Sequence, residues 1–280
     1  MAKIIGGITT SHVPAIGGAI AKSLQQDPYW KPFFDGFGPV RQWLAETRPD
    51  TVVLVYNDHG LNFFLDKMPT FAIGAAAEYR NADEGWGIPQ VPPFQGDPAF
   101  SWHLMESLVA EEFDPVSCQE MTVDHAFTLP MALLWPDQKW PVKVIPVCIN
   151  TVQAPLPSAK RCWKLGEAIG RAVASWAGDE RVLVLGTGGL SHQLDGERAG
   201  HINKPFDLQF MDSLVGAQPD WATKFSTREI VELAGTQGVE LLMWLTTRAA
   251  LGAKVTELHR NYHIPISNTA AGLMLLEPSV

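Results

Sequence analysis

Residues 51–60 read TVVLVYNDHG, and the fold turns on how this stretch is understood. Val52, Val53, Leu54, Val55 and Tyr56 form an unbroken apolar run. A strand with one wet face would alternate polar and apolar residues; an unbroken run suits a strand covered on both faces, as in parallel sheets. The run then gives way to Asn57, Asp58 and His59. A plain turn explains Asn, Asp and Gly. It leaves the histidine unexplained.

Similar strand-like runs lie at 3–8, 70–74, 142–149 and 181–185, with a late pair near 255–263 and 271–276. Helix-like stretches fall between several of them, at 39–46, 99–112, 158–176, 204–214 and 237–250. Strands alternating with helices predict an α/β fold. The expectation is one domain over residues 1–280, with a largely parallel or mixed central sheet and helices on both faces.

Composition narrows the function. The chain has 280 residues, 46% hydrophobic and 18% charged, with 10 Trp and 13 Phe, enough for a large core. A net charge of -9 argues against nucleic acid, whose phosphates must be neutralised by Lys and Arg. No signal peptide or membrane span is evident, so a cytoplasmic location is expected. Cys118, Cys148 and Cys162 are odd in number and show no C-x-x-C spacing, which points away from a disulfide framework or a cysteine zinc site. Segment 79–98, YRNADEGWGIPQVPPFQGDP, with four prolines, is expected to be a long irregular loop. Its Trp86, Val91 and Phe94 would be costly to leave wet, which tilts it toward a partner surface.

His59 has company. KIIGGITTSH carries His12 past the first strand, and RVLVLGTGGLSH carries His192 past another. Ligands in open α/β sheets bind beyond the carboxyl ends of strands. Each histidine alone reads as a loop residue bonded to its neighbours, but three at one sheet edge point to a site. A carboxylate joins them in GVELLMWLTTRAAL, residues 238–251, where Glu240 opens a helix that is apolar nearly all round. An exposed Glu there would only complement the helix dipole; a buried one needs a cation, and this helix offers only Arg248, on a different face. Two imidazoles and a carboxylate with open positions form the facial triad of non-haem Fe(II) oxygenases. The residues alone leave open which two of four candidate histidines bind, because His125, in MTVDHAFTLPMALLW, also competes. Asp124 beside it could orient His125 or cap the following helix. His103, His201 and His259 read as structural or solvent-exposed, and Ser267, Asn268 and Thr269 as a turn or a substrate cradle.

Several segments carry a further resemblance: GITTSHVPAIG, VLVYNDH, PTFAIG, ADEGWG, GTGGLSHQL, INKPFDLQFMD, GVELLMWL and YHIPISNTA. Nearly end to end, the chain resembles the class III extradiol dioxygenases, in particular the catalytic beta subunit of the protocatechuate 4,5-dioxygenase type. That resemblance implies Fe(2+) held by His12, His59 and Glu240. It implies that His192 is the catalytic acid/base, that His125 lines the pocket, and that Ser267 and Asn57 serve substrate binding. The implied reaction opens protocatechuate with O2 to 4-carboxy-2-hydroxymuconate semialdehyde. The implied partner is a small helical alpha subunit in an α2β2 assembly; the chain's end soon after the last strand favours that two-subunit type over the longer gallate enzymes. Alternatives are a gallate or other catechol dioxygenase of the same family, a His2Glu zinc hydrolase, and a non-catalytic binding protein on the same scaffold.

Overall fold

The computed structural model describes residues 1–85 and 87–279, with the side chains of residues 264 and 265 left aside. Its strands are β1 (Lys3–Thr10), β2 (Thr51–Tyr56), β3 (Phe71–Gly74), β4 (Glu78–Asn81), β5 (Phe94–Gln95), β6 (Val116–Cys118), β7 (Thr122–Val123), β8 (Lys143–Ile149), β9 (Arg181–Thr187), β10 (Val255–Ile266) and β11 (Thr269–Pro278). The helices are α1 (Pro14–Ala21), α2 (Lys31–Asp35), α3 (Gly38–Thr47), α4 (Pro98–Ala110), α5 (His125–Leu134), α6 (Ala159–Ser175), α7 (Lys204–Val215), α8 (Thr227–Ala234) and α9 (Leu241–Ala250). None of the described helices is long and apolar enough to cross a membrane.

Eight strands form one mixed sheet in the order β10-β11-β1-β9-β2-β8-β3-β6. The middle four, β1, β9, β2 and β8, run parallel. β11 and β3 close them on either side with antiparallel pairs. The α/β reading with a mixed sheet and helices on both faces therefore holds. β2 shows why 52–56 is an unbroken apolar run. Val53 and Val55 face a core shared with α4, α6, α7 and α9, while Val52, Leu54 and Tyr56 face one shared with α1, α2, α3 and α5. At roughly 1.5–3 kcal/mol for each large side chain buried, neither face tolerates a polar residue inside the strand.

Because β9 lies between β1 and β2, the loops after all three open at one edge, above the centre of the sheet. Segment 79–98 differs from its expectation. β4 pairs with β5 and β7 in a small second sheet. Phe94 is fully buried, stacked on Trp140 at 4.6 Å, so it fills the protein's own core and offers nothing to a partner. Val91 is half-buried, and Trp86 lies outside the described residues.

Candidate metal centre

Asn57 and Asp58 follow β2 but stay as dry as the strand, at 1% and 3% exposure. Unpartnered burial of such groups costs about 1–3 kcal/mol each, so each must have an occupation. Asp58 caps its own loop, accepting from the backbone N–H groups of Gly60, Leu61, Asn62 and Phe63. Asn57 turns inward and donates to Glu240 Oε1 at 3.4 Å. His59 reaches the same place. The opening stretch thus ends in one loop brace and two groups that face a cavity.

That cavity has a volume of about 410 Å³. The seven residues to which the resemblance gives a role line it: His12, Asn57, His59, His125, His192, Glu240 and Ser267. His12 comes from the end of β1, His192 from the loop after β9, and His125 from the first position of α5. Ser267 stands in the left-handed conformation, with φ of 54°, at the tip of the β10–β11 hairpin. A wider hollow of about 580 Å³, lined by Ala2, Lys3 and Pro278 among others, lies at the other end of β1 and gathers none of these groups.

Glu240 sits in a single 3-10 turn, Gly238–Glu240, leading into α9. Its carboxylate is 5% exposed and faces three imidazoles. The closest approaches are 3.4 Å to His12 Nε2, 3.8 Å to His59 Nε2 and 3.9 Å to His192 Nε2. Arg248 is no partner: it is buried among the carbonyls of Leu214, Gly252 and Ala253. The backbone of Gly189 supplies one N–H to Glu240 Oε2, at 2.6 Å. Gly188 has φ of 128°, and a Cβ on Gly189 would lie 2.3 Å from the His192 ring. Only glycines let this loop pass so close.

Each imidazole is tied at one nitrogen. His12 Nδ1 is 3.1 Å from Thr187 Oγ1. His59 Nδ1 donates to Asp124 Oδ2 at 2.9 Å, and the same oxygen accepts the His59 backbone N–H. His125 Nδ1 is 2.7 Å from Glu84 Oε1. His192 Nδ1 is 2.9 Å from the Leu190 carbonyl. The Nε2 atoms of His12, His59 and His192 converge on the Glu240 carboxylate. Burial lowers the His12 pKa, although Glu240 pulls it up. Burial also disfavours a charged His59, but Asp124 and Glu240 outweigh it and push its pKa up to about 10. Glu240 is held well below the usual carboxylate range, its burial outweighed by His12, His59 and His192. Such a site demands a cation, and a divalent metal can take the place of the His59 proton.

The donor set fits a metal. Two imidazoles whose Nε2 atoms stand 3.4 and 3.8 Å from the oxygens of one anion can share an ion about 2.1 Å from each, the His59 Nε2 exchanging its 3.2 Å contact with the Asn57 amide for the metal. His12, His59 and His125 also lie close enough to hold an ion as an all-imidazole set. The set with Glu240 is favoured on charge, since among the described residues Glu240 has no Lys or Arg partner.

Two partners escaped the sequence reading. Asp124 caps α5 through the Ala126 N–H, and it also holds His59, whereas its sequence neighbour His125 is held by Glu84. The Asp-His pair was the visible signal, but its geometry crosses to another element. Glu84 comes from the supposed irregular loop, where nothing local marks it. His103, His201 and His259 are structural, bonding the carbonyls of Ala172, Leu233 and Gly36. Replacing Asp124 with alanine should lower metal affinity about 10- to 100-fold, the usual cost of losing an outer partner of a ligand. Titrating the purified variant with ferrous ion checks this, and wild-type affinity would remove Asp124 from the site.

Comparison with known proteins gives this geometry a context. The family model described as the catalytic LigB subunit of aromatic ring-opening dioxygenase matches residues 6–273. A gallate dioxygenase of Pseudomonas putida is 41% identical over 197 residues, covering 70% of this chain and 57% of that protein. A 2,3-dihydroxyphenylpropionate/2,3-dihydroxicinnamic acid 1,2-dioxygenase of Rhodococcus jostii is 28% identical over 88% of each chain. In fold, the chain is similar to a crystal structure of an uncharacterized Escherichia coli K12 protein, with a TM-score of 0.56 and 12% identity, covering 97% of this chain and 99% of that one. With nearly its whole length matched, the chain belongs to the LigB family of catalytic subunits of aromatic ring-opening dioxygenases.

Proposed function

We propose that residues 1–280 act as one catalytic domain, a cytoplasmic Fe(2+)-dependent extradiol dioxygenase component that opens a hydroxylated benzoate bearing a vicinal diol. The observation that carries this reading is the convergence of the His12, His59 and His192 Nε2 atoms on one buried carboxylate, Glu240, inside a cavity of about 410 Å³. His12, His59 and Glu240 are the metal ligands in this reading. When bound, ferrous ion supplies a Lewis acid that lowers the pKa of a chelated diol and an electron path between that diol and O2.

The chain's own residues do the rest. His192 presents a free Nε2, close to Glu240, that can take a proton from a substrate hydroxyl and return it later. His125, steadied by Glu84, lines the wall beside His59, with ring centroids 4.3 Å apart. Val13, Pro14, Val152 and Leu194 offer apolar contact for an aromatic ring. The described residues of the lining include no Lys or Arg, so a ring carboxylate meets neutral donors, among them Ser267, Thr236 and Gln237. Asn57 fixes the Glu240 oxygen and borders the substrate space.

Protocatechuate is one candidate substrate, and similarity to a gallate dioxygenase supports gallate as the other. The two rings differ by one hydroxyl. The chain spans 57% of the gallate enzyme's length; the proposal keeps a small helical alpha subunit in an α2β2 assembly on the resemblance of its sequence segments to the two-subunit type. The test is oxygen uptake by protein reconstituted anaerobically with ferrous ion. Gallate or protocatechuate should consume O2 at least about tenfold faster than catechol, because catechol forgoes the carboxylate contacts, worth about 1–3 kcal/mol. No uptake with any of the three diols, or hydrolytic activity restored by zinc, would overturn the assignment.

A further inference from the structure

The peptide between Leu190 and Ser191 is engaged at both ends. Its carbonyl oxygen lies 2.9 Å from His192 Nδ1, and its N–H donates to Asp207 Oδ1, also at 2.9 Å. A carbonyl can only accept, so His192 Nδ1 carries a proton, and in the neutral ring Nε2 keeps its lone pair. Asp207, on α7, is 1% exposed. Its second oxygen accepts from Ser191 Oγ at 2.6 Å and from the Tyr262 hydroxyl of β10 at 2.8 Å. Ser191 Oγ in turn accepts from the Asn203 N–H at 2.8 Å.

We propose that Asp207 is a positioning residue for His192, acting through the Leu190–Ser191 peptide to hold the Nδ1–H tautomer and aim Nε2 into the cavity. The proposal rests on reading His192 as the proton-transfer group. A carboxylate that binds a peptide N–H draws electron density toward the carbonyl of the same peptide, and linked hydrogen bonds strengthen one another by about 10–30% each. The stronger acceptor then holds Nδ1–H more firmly, much as an outer carboxylate fixes the tautomer of a metal-bound histidine.

A purely structural role explains less. Three donors match the acceptor capacity of a carboxylate, but burying its charge carries a cost that packing alone does not require. Among the described residues no Lys or Arg pairs with Asp207. Burial pushes its pKa up to about 6, while Ser191, Tyr262 and the charge of His192 pull it back, and both of its oxygens accept. A carboxylate without a Lys or Arg partner, placed one peptide away from a catalytic imidazole, fits an electrostatic function.

The test compares Asp207→Asn with Ser191→Ala in the full chain. Asparagine keeps the shape and can still accept from the Ser191 N–H, but it removes the charge. Ser191→Ala removes a hydroxyl and leaves the peptide relay intact. Asp207→Asn should lower kcat about tenfold or more, with KM and iron content within about twofold. In low-field proton NMR of the chain prepared without iron, the His192 Nδ1–H signal should move upfield and exchange faster. Ser191→Ala should retain both. Wild-type kcat and an unmoved Nδ1–H signal in Asp207→Asn would overturn the relay, as would an activity loss that only follows the folded fraction. Full activity in His192→Ala would instead overturn the proton-transfer reading, and the NMR comparison would still decide the relay.

Discussion

Glu240→Gln should release the metal and lower turnover about 1000-fold or more. The metal-binding reading assigns the site one anion, and glutamine keeps its volume while removing the charge. The remaining donors are neutral imidazoles, which hold a hard divalent ion less well than a set containing a carboxylate. A bound ion contributes several kcal/mol to the reaction, and about 4 kcal/mol corresponds to about 1000-fold. The check is iron content per chain beside oxygen uptake. The variant also separates the two donor sets. If it keeps one iron per chain, the ligands are His12, His59 and His125, and Glu240 has another duty. If it loses iron while His125→Ala keeps it, the set with Glu240 stands.

His192→Ala should produce a different loss. Turnover should fall about 100- to 10,000-fold, the usual share of a positioned acid/base group, while iron content stays near that of the native chain. The distinction rests on geometry. His192 Nε2 is the most distant of the three from Glu240, at 3.9 Å against 3.4 and 3.8 Å. Its ring is held through a carbonyl, whereas His59 is held through a carboxylate that would balance a metal's charge. Loss of iron as complete as in His12→Ala would make His192 a ligand. Unchanged turnover would remove it from the chemistry.

The sequence carried much of this arrangement, for a physical reason. Strands dry on both faces favour unbroken apolar runs, so 52–56 and 182–185 announced themselves, and the polar groups that followed them stood at the sheet's edge. Glu240 was legible because a carboxylate opening an apolar helix conflicts with burial. Partnership was not legible. Asp124 and His59 lie 65 residues apart, and Glu84 and His125 lie 41 apart. Such contacts leave no periodic trace, and the nearer pairing of Asp124 with His125 was the natural but incomplete guess. Glu84 was hidden further because its segment reads as proline-rich loop, yet β4 and β5 anchor it through a sheet too small for its pattern to be seen.

The long β10–β11 hairpin has a bearing on how such a protein diversifies. β10 forms one edge of the large sheet, and the turn between β10 and β11 brings Ser267 and Thr269 to the cavity. The same turn ties itself to the loop that carries His192, through the Thr269 bridge and the Ala270 bonds to Leu190 and Ser191. On the proposed reading, the wall that meets the ring and the group that moves its proton are therefore coupled, and descent that reshapes the tip must accommodate both.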